Sequence, residues 1–211
     1  NSSDILIEKV LFNNGDDNIA IKAGRDDEGR SNANMPSENI VIRDCQFKGL
    51  HAVVIGSEMS GGVRNVYVDN CKASGYLKRG IYIKTNSDRG SYIKHVYFSN
   101  ISFGKVEDGI YLTANYHGEG SGLFPSKISD ISFSNISFTE ATNTGIVIEG
   151  YPNKKVENIT LDTIAIQSAK NGLTLTNTEN VTFNEGNTCP QPVSGFSFGF
   201  ILSAIVESPM V

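Results

Sequence analysis

One short motif constrains this chain more than any other feature. An apolar-x-apolar triplet recurs six times, as Ile19-Ala20-Ile21, Val53-Val54-Ile55, Ile81-Tyr82-Ile83, Ile110-Tyr111-Leu112, Ile146-Val147-Ile148 and Leu173-Thr174-Leu175, in steps of 27 to 36 residues. A second strand accompanies each copy, starting at Ile5, Ile40, Val66, Val96, Ile131 and Ile159, with a last one at Val181. Alternating β-branched and polar residues give each strand one buried face, and the Asn, Gly, Asp and Ser between them mark turns. Helical periodicity is absent. A short strand that cannot bury its face alone must stack on copies of itself. The chain is therefore expected to be all-β, a single-stranded parallel β-helix of about six to seven coils with rungs about 4.8 Å apart.

Composition agrees. With 39% hydrophobic and 19% charged residues, 21 Gly and only 6 Pro among 211, the chain fits a turn-rich β protein, and disorder and collagen-like structure are excluded. A net charge of -5 with scattered Lys and Arg argues against nucleic acid as a partner. The apolar run from Phe196 to Val206 is too short and too interrupted to span a bilayer, so no membrane partner is expected. No signal peptide opens the chain, and Asn1 reads as a cut. The repeats define one unit over residues 1–188, the C-terminal portion of a larger catalytic domain, followed by a cap or tail over 189–211. A monomer is expected.

The turn after the second strand repeats too. Asp44, Asn70, Asn100 and Asn135 share one column, and a buried ladder of side-chain amides is the expected structure. On that reading the sequons at Asn100 and Asn135 are inaccessible, while those at Asn158 and Asn180 remain open. Cys45 and Cys71 stand on neighbouring coils as stacked thiols or as a disulfide, and Cys189 has no evident partner. No metal-binding spacing is present, and no cofactor is expected.

Superposing the six triplets aligns the residue two places before each as Asp17, His51, Arg79, Asp108, Thr144 and Asn171. A carboxylate, an imidazole and a guanidinium then fall within roughly 10 Å on three consecutive rungs. Strand alternation sends Lys22, Tyr82 and Lys84 outward on the same face, and Gly56 leaves a gap there for a sugar ring to approach. Asp16 and Asp17 adjoin. Glycosidic hydrolysis needs one carboxyl group to protonate the leaving oxygen and another to activate water, and crowding of like charges is expected to raise the pKa of one of them. Singly, each group has a bland reading: Gly-Asp-Asp is a common turn, and a lone His or Lys is usually solvated. Together they argue for a site, because the register that aligns the core also aligns them.

These residues resemble the pectin-degrading polygalacturonases of glycoside hydrolase family 28. The hallmarks read here as Gly15-Asp16-Asp17, as His51 ahead of Ile55-Gly56-Ser57, and as Arg79 to Lys84 on one strand. The resemblance implies a right-handed, pectin lyase-like β-helix that hydrolyses α-1,4-galacturonosidic bonds with inversion. It implies Asp16 as general acid, Asp17 as part of the water-activating pair, His51 as a group tuning the acid, Lys84 as ligand of the substrate carboxylate and Tyr116 as a cleft tyrosine. The implied partner is a pectic polysaccharide, polygalacturonate or rhamnogalacturonan, and the implied location is extracellular or periplasmic.

Two departures stand out. Where the family carries the Arg of Arg-x-Lys this chain has Tyr82, so Arg79 is expected to supply the guanidinium and the substrate to be a variant one. The family's further catalytic Asp, about one coil upstream, would precede Asn1, so impaired activity is expected of the chain alone. A calcium-dependent polysaccharide lyase and a non-catalytic carbohydrate-binding module are the competing readings. The Asp-Asp, His and Lys set fits hydrolysis better than the first, and Tyr82, Tyr111 and Tyr116 form too small a cluster for the second.

Overall fold

The computed structural model describes residues 1–31, 35–118, 120–184 and 186–188. Ten strands run in chain order: β1 (Ser3–Glu8), β2 (Leu11–Ile21), β3 (Ser37–Arg43), β4 (Gln46–Gly56), β5 (Val63–Lys84), β6 (Tyr92–Thr113), β7 (Lys127–Glu149), β8 (Val156–Ile166), β9 (Ala169–Thr176) and β10 (Thr178–Phe183). Every pairing between them is parallel. Together they form a right-handed parallel β-helix, β5, β6 and β7 each running through the corners of a coil. Among the described residues, a six-residue helix α1 (Asp26–Ser31) and a 3-10 turn at Tyr116–Gly118 sit in the loops.

Both predicted columns are in register. Ile5, Ile40, Val66, Val96, Ile131, Ile159 and Val181 pair in sequence, as do Ile19, Val53, Ile81, Ile110, Ile146 and Leu173. Inside, like stacks on like: Phe98 on Phe133 with ring centroids 5.5 Å apart, and Phe103 on Phe138 at 4.8 Å. The Gly before the third and fourth triplets has its own reason. A Cβ on Gly80 would meet the Gly109 carbonyl at 2.8 Å, and one on Gly109 would meet the Gly145 carbonyl at 2.5 Å.

The corners explain the Asn columns. Asp44, Asn70, Asn100 and Asn135 all have φ near +50°, a left-handed conformation that Asn and Asp tolerate best among residues with a side chain. A second such column runs through Asp4, Asn39, Asn65, His95, Asp130, Asn158 and Asn180. Amides link the rungs, as from Asn70 to Asp44 at 2.6 Å, Asn135 to Asn100 at 2.8 Å and Asn65 to Asn39 at 3.0 Å. The expectation of a buried ladder is corrected on two points. Asn70, Asn100 and Asn135 are exposed, because the bend turns their side chains out; and Asn100 donates to Asp69 rather than Asn70. The inaccessibility expected for the sequons at Asn100 and Asn135 falls with it.

Cys45 and Cys71 are free and buried, which removes the disulfide alternative. Their thiols face the backbone carbonyls of Arg43 and Asp69, both at 3.2 Å, and burial pushes the Cys71 thiol up to about 12. Cys189 and the rest of the expected cap or tail over 189–211 lie outside the described residues.

Candidate active site

The chemical column forms as the register requires. Asp17 pairs with His51, His51 with Arg79, Arg79 with Asp108, Asp108 with Thr144, and Thr144 with Asn171. The ladder between β2 and β4 shifts between Asn14 and Asp17, and this irregularity separates the two adjacent carboxylates. Asp16 is exposed, its N–H donating to Asn14 Oδ1 at 3.1 Å and its own Oδ1 accepting the Asp17 N–H at 2.9 Å. Asp17 is drawn inward.

Asp17 is held between two rungs. Its Oδ1 lies 2.6 Å from His51 Nδ1 and its Oδ2 lies 3.5 Å from Lys84 Nζ. Burial pushes its carboxyl up, but the hydrogen bond from His51 and the charge of Lys84 outweigh that, and its pKa settles below the ordinary value. The raised pKa expected from crowding is therefore not found on Asp17, because the hydrogen bond from His51 and the charge of Lys84 decide the sign. An ionised carboxylate can only accept, so His51 Nδ1 carries the proton and Nε2 is the nitrogen left for the cleft. The buried Asn18 amide donates to the His51 carbonyl and fixes that rung.

Lys84, although charged, is only 9% exposed. Its Nζ sits 4.7 Å from the Tyr82 ring centroid and 5.2 Å from that of Tyr116, a partly desolvated cation-π setting. Tyr82 also meets His51 and Tyr111 edge-on at 5.3 and 5.6 Å, and burial pushes its hydroxyl pKa well up. Arg79 packs over Tyr111 at 4.5 Å and lies 3.0 Å from Glu107 and 2.9 Å from Asp108. Asp16, His51, Arg79, Tyr82, Lys84 and Tyr116 all line one cavity of about 400 Å³.

Two predicted features are corrected. Lys22 does not reach this cavity; it pairs with Glu58 at 2.6 Å and lines a neighbouring one. The gap at Gly56 is filled by protein, since a Cβ there would stand 1.9 Å from the Lys84 carbonyl, and its φ is +93°. The glycine serves close strand approach, not sugar access. The cavity also gains Lys78 and His117, which the sequence reading missed. Lys78 stands next to Arg79 in the sequence, but His117 sits in an irregular turn with φ +58° that no periodicity marks.

A larger hollow of about 670 Å³ runs along the ladder corner past Asp44, Asn70, Asn100 and Asn135, without a comparable cluster of acids and bases. In the cleft, by contrast, one oxygen from each of Asp16 and Asp17 and one ring nitrogen of His51 lie within 4.8 Å of one another. These are zinc-type ligands, but Lys84 stands against Asp17 where a metal ion would be repelled, and the Nδ1 proton is committed to Asp17. The set suits proton transfer.

Fold and site together define a β-solenoid whose cleft gathers carboxylates, imidazole and a caged lysine, and comparison with known proteins places it. Residues 1–189 match the family described as glycosyl hydrolases family 28, and the chain belongs to that family. A probable polygalacturonase of Vitis vinifera is 28% identical over 169 residues, 77% of this chain and 34% of that protein. An endo-polygalacturonase of Pectobacterium carotovorum subsp. carotovorum is 32% identical, over 79% of this chain and 39% of that protein. The crystal structure of a hyperthermoactive exopolygalacturonase from Thermotoga maritima aligns with a TM-score of 0.68 and 33% identity, covering 86% of this chain and 43% of that one. The chain thus spans about a third to two-fifths of the length of these two curated relatives.

Proposed function

We propose that the protein carrying this chain hydrolyses α-1,4-galacturonosidic bonds of a pectic polymer, and that it does so outside the cytoplasm, where such a polymer is met. The observation that carries the reading is the clustering of Asp16, Asp17 and His51 within 4.8 Å of one another, with Asp16, His51 and Lys84 lining one cavity and Asp17 held between His51 and Lys84. Exposed Asp16 donates its proton to the glycosidic oxygen as the bond from C1 breaks. Asp17, held ionised, accepts a proton from the water whose oxygen attacks C1, and His51 keeps Asp17 in place and assists the return of the proton to Asp16. Lys84 takes a uronate carboxylate, Tyr82 and Tyr116 face the sugar, and Arg79 supplies further positive potential to the cleft.

The test is reducing-end release from polygalacturonate by the protein at its full natural length. Saturated reducing ends are expected, and their loss in Asp16→Asn. Unsaturated ends would indicate elimination and overturn the reading, as would no release by a folded protein on any pectic polymer. The oxygens of Asp16 and Asp17 approach more closely than the roughly 6.5–9.5 Å usual between the carboxyl groups of inverting pairs. Product configuration is therefore the direct check on mechanism: proton NMR of the first product should show the β anomer, and the α anomer would rule out single displacement.

A further inference from the structure

Two exposed aromatic rings stand where the cleft makes no use of them. Tyr67 and Tyr97 pair on neighbouring rungs of β5 and β6, 43% and 38% exposed, in the column of second strands and not in the triplet column that carries the cleft. Their ring centroids are 5.0 Å apart and their planes 11° from parallel. At that separation parallel rings lie face on face, since side by side they would collide. One face of Tyr97 is thus covered by Tyr67. The other looks to the next rung, where Ser132 stands opposite with Thr160 beyond it, and neither side chain is large enough to cover a ring. The aromatic ladder stops there with one face open.

What continues along that next rung is polar. β7 turns Ser132, Ser134, Asn135 and Ser137 outward between buried Phe133, Ile136 and Phe138. Among the described residues the three serine hydroxyls make no hydrogen bond, and Asn135 uses one amide hydrogen, toward Asn100. The rung ends in the hollow of about 670 Å³, which Asn135 and Ser137 line. A flat apolar face with a row of donors and acceptors leading from it into a hollow meets the two needs of a sugar chain, C–H against a ring and hydroxyls against polar groups. The direction agrees. A pyranose stacked on Tyr97 lies with its plane across the solenoid axis, so the chain through it runs along β7 and not from coil to coil.

Charge selects the kind of sugar. Asp69, two places after Tyr67, and Asp130, two places before Ser132, are both held below the ordinary carboxylate range, by the hydrogen bonds from Ser99 and from Ser129 respectively. The cations nearby are engaged: Arg64 with Glu38, Lys127 with Glu157, and Lys94 over the Tyr92 ring. The hollow adds one charge of each sign, Asp44 and Lys72. Compared with the cleft, where Lys78, Arg79 and Lys84 converge, this face offers an anionic sugar little.

We propose that Tyr97 and the rung from Ser132 to Ser137 form an accessory site for a neutral chain of β-linked pyranoses with equatorial hydroxyls, whose rings turn C–H to a facing aromatic and hydroxyls to the edge. The site takes a different glycan from the cleft, and it stands whether or not the cleft acts as proposed above.

Cellohexaose is the probe, being neutral, β-linked and all-equatorial. Titrated calorimetrically into the full-length protein carrying Asp16→Asn, it should bind with a Kd of about 1 mM or tighter. Tyr97→Ala should raise that Kd roughly five- to tenfold, the scale of one aromatic partner, and Tyr97→Phe should bind as the parent does. Ser134→Ala combined with Ser137→Ala should raise it by less. Leu123→Ala, at an exposed apolar residue between β6 and β7, should not change it, and saturating trigalacturonate should not displace the hexamer. Absence of binding by the folded parent, or parental binding by Tyr97→Ala or by the serine pair, overturns the site. An equal loss in Leu123→Ala would assign the effect to exposed apolar surface at large, and displacement by trigalacturonate would put the hexamer in the cleft; either result overturns it too.

Discussion

Asp17 and Asp108 occupy the same position of the repeat, three rungs apart, and end with opposite chemistry. Each has partners from other rungs against it, the His51 ring and the Lys84 cation for Asp17 and the Arg79 cation for Asp108. At Asp17 the raising effect of burial is outweighed by these partners; at Asp108, 0% exposed, burial prevails over Arg79 and the pKa rises. Burial sets the sign at Asp108 against the hydrogen bonds it accepts, each of which lowers its pKa. Asp108 Oδ1 takes Asn143 Nδ2 at 2.8 Å and the Thr144 N–H at 3.0 Å, tying its coil to the next, while Oδ2 has no hydrogen bond in line. Asp17 engages both oxygens and stands beside an open cavity. On the proposed mechanism one column carries a reactive end and a structural end.

The largest effect should fall on the reactive end. Asp16→Asn and Asp17→Asn should each lower kcat roughly 10²–10⁴-fold, the usual weight of acid-base catalysis, whereas Asp108→Asn should stay within about tenfold. Equal losses at Asp17 and Asp108 in steady-state assays on polygalacturonate would erase the distinction.

A second, smaller contrast lies between the two cations of the cleft. Each lies against two aromatic rings, but Arg79 is held by two carboxylates, Glu107 and Asp108, and Lys84 by one. Lys84 therefore has more to give a substrate anion. Lys84→Met should raise KM roughly 10–100-fold, the range for hydrogen bonds to charged groups, with a smaller change in kcat. Arg79→Gln should cost stability before it costs affinity, since it leaves buried Asp108 without its cation. A KM effect larger in Arg79→Gln than in Lys84→Met would reverse the assignment and make Arg79 the main ligand of the carboxylate.

Much of this was legible in the sequence, for a physical reason. Parallel stacking turns a linear repeat into columns, so aligning Ile19, Val53 and Ile81 as core also aligned Asp17, His51 and Arg79 as neighbours. The alignment says nothing of what lies on the outer side of a column, and there the reading failed. Gly56 looked like room for a sugar and is room for a carbonyl; Lys22 lies not in the cavity of Asp16 and His51 but in the adjoining one, which Lys84 and Tyr116 also line. One of the two Asn columns was visible, that of Asn70, Asn100 and Asn135, but its exposure depends on a left-handed bend that no composition reveals. His117 sits in a loop of variable length, where the repeat gives no register at all.

The smallest predicted effect is also the one that isolates the comparison most cleanly. A carboxyl with a lowered native pKa adds stability above its unfolded value near 4 and loses it as pH falls through the native pKa. A carboxyl with a raised native pKa does the reverse: the unfolded state ionises first, so stability drains away as pH rises from about 4 through the native value. Asn does not titrate in either place. The stability difference between the parent and Asp17→Asn should therefore grow as pH rises from 3 to 6, and that between the parent and Asp108→Asn should shrink. Urea denaturation midpoints across that range read both slopes in one experiment. Two slopes of the same sign would mean that Arg79 governs Asp108 as His51 and Lys84 govern Asp17, and that burial alone does not divide the column.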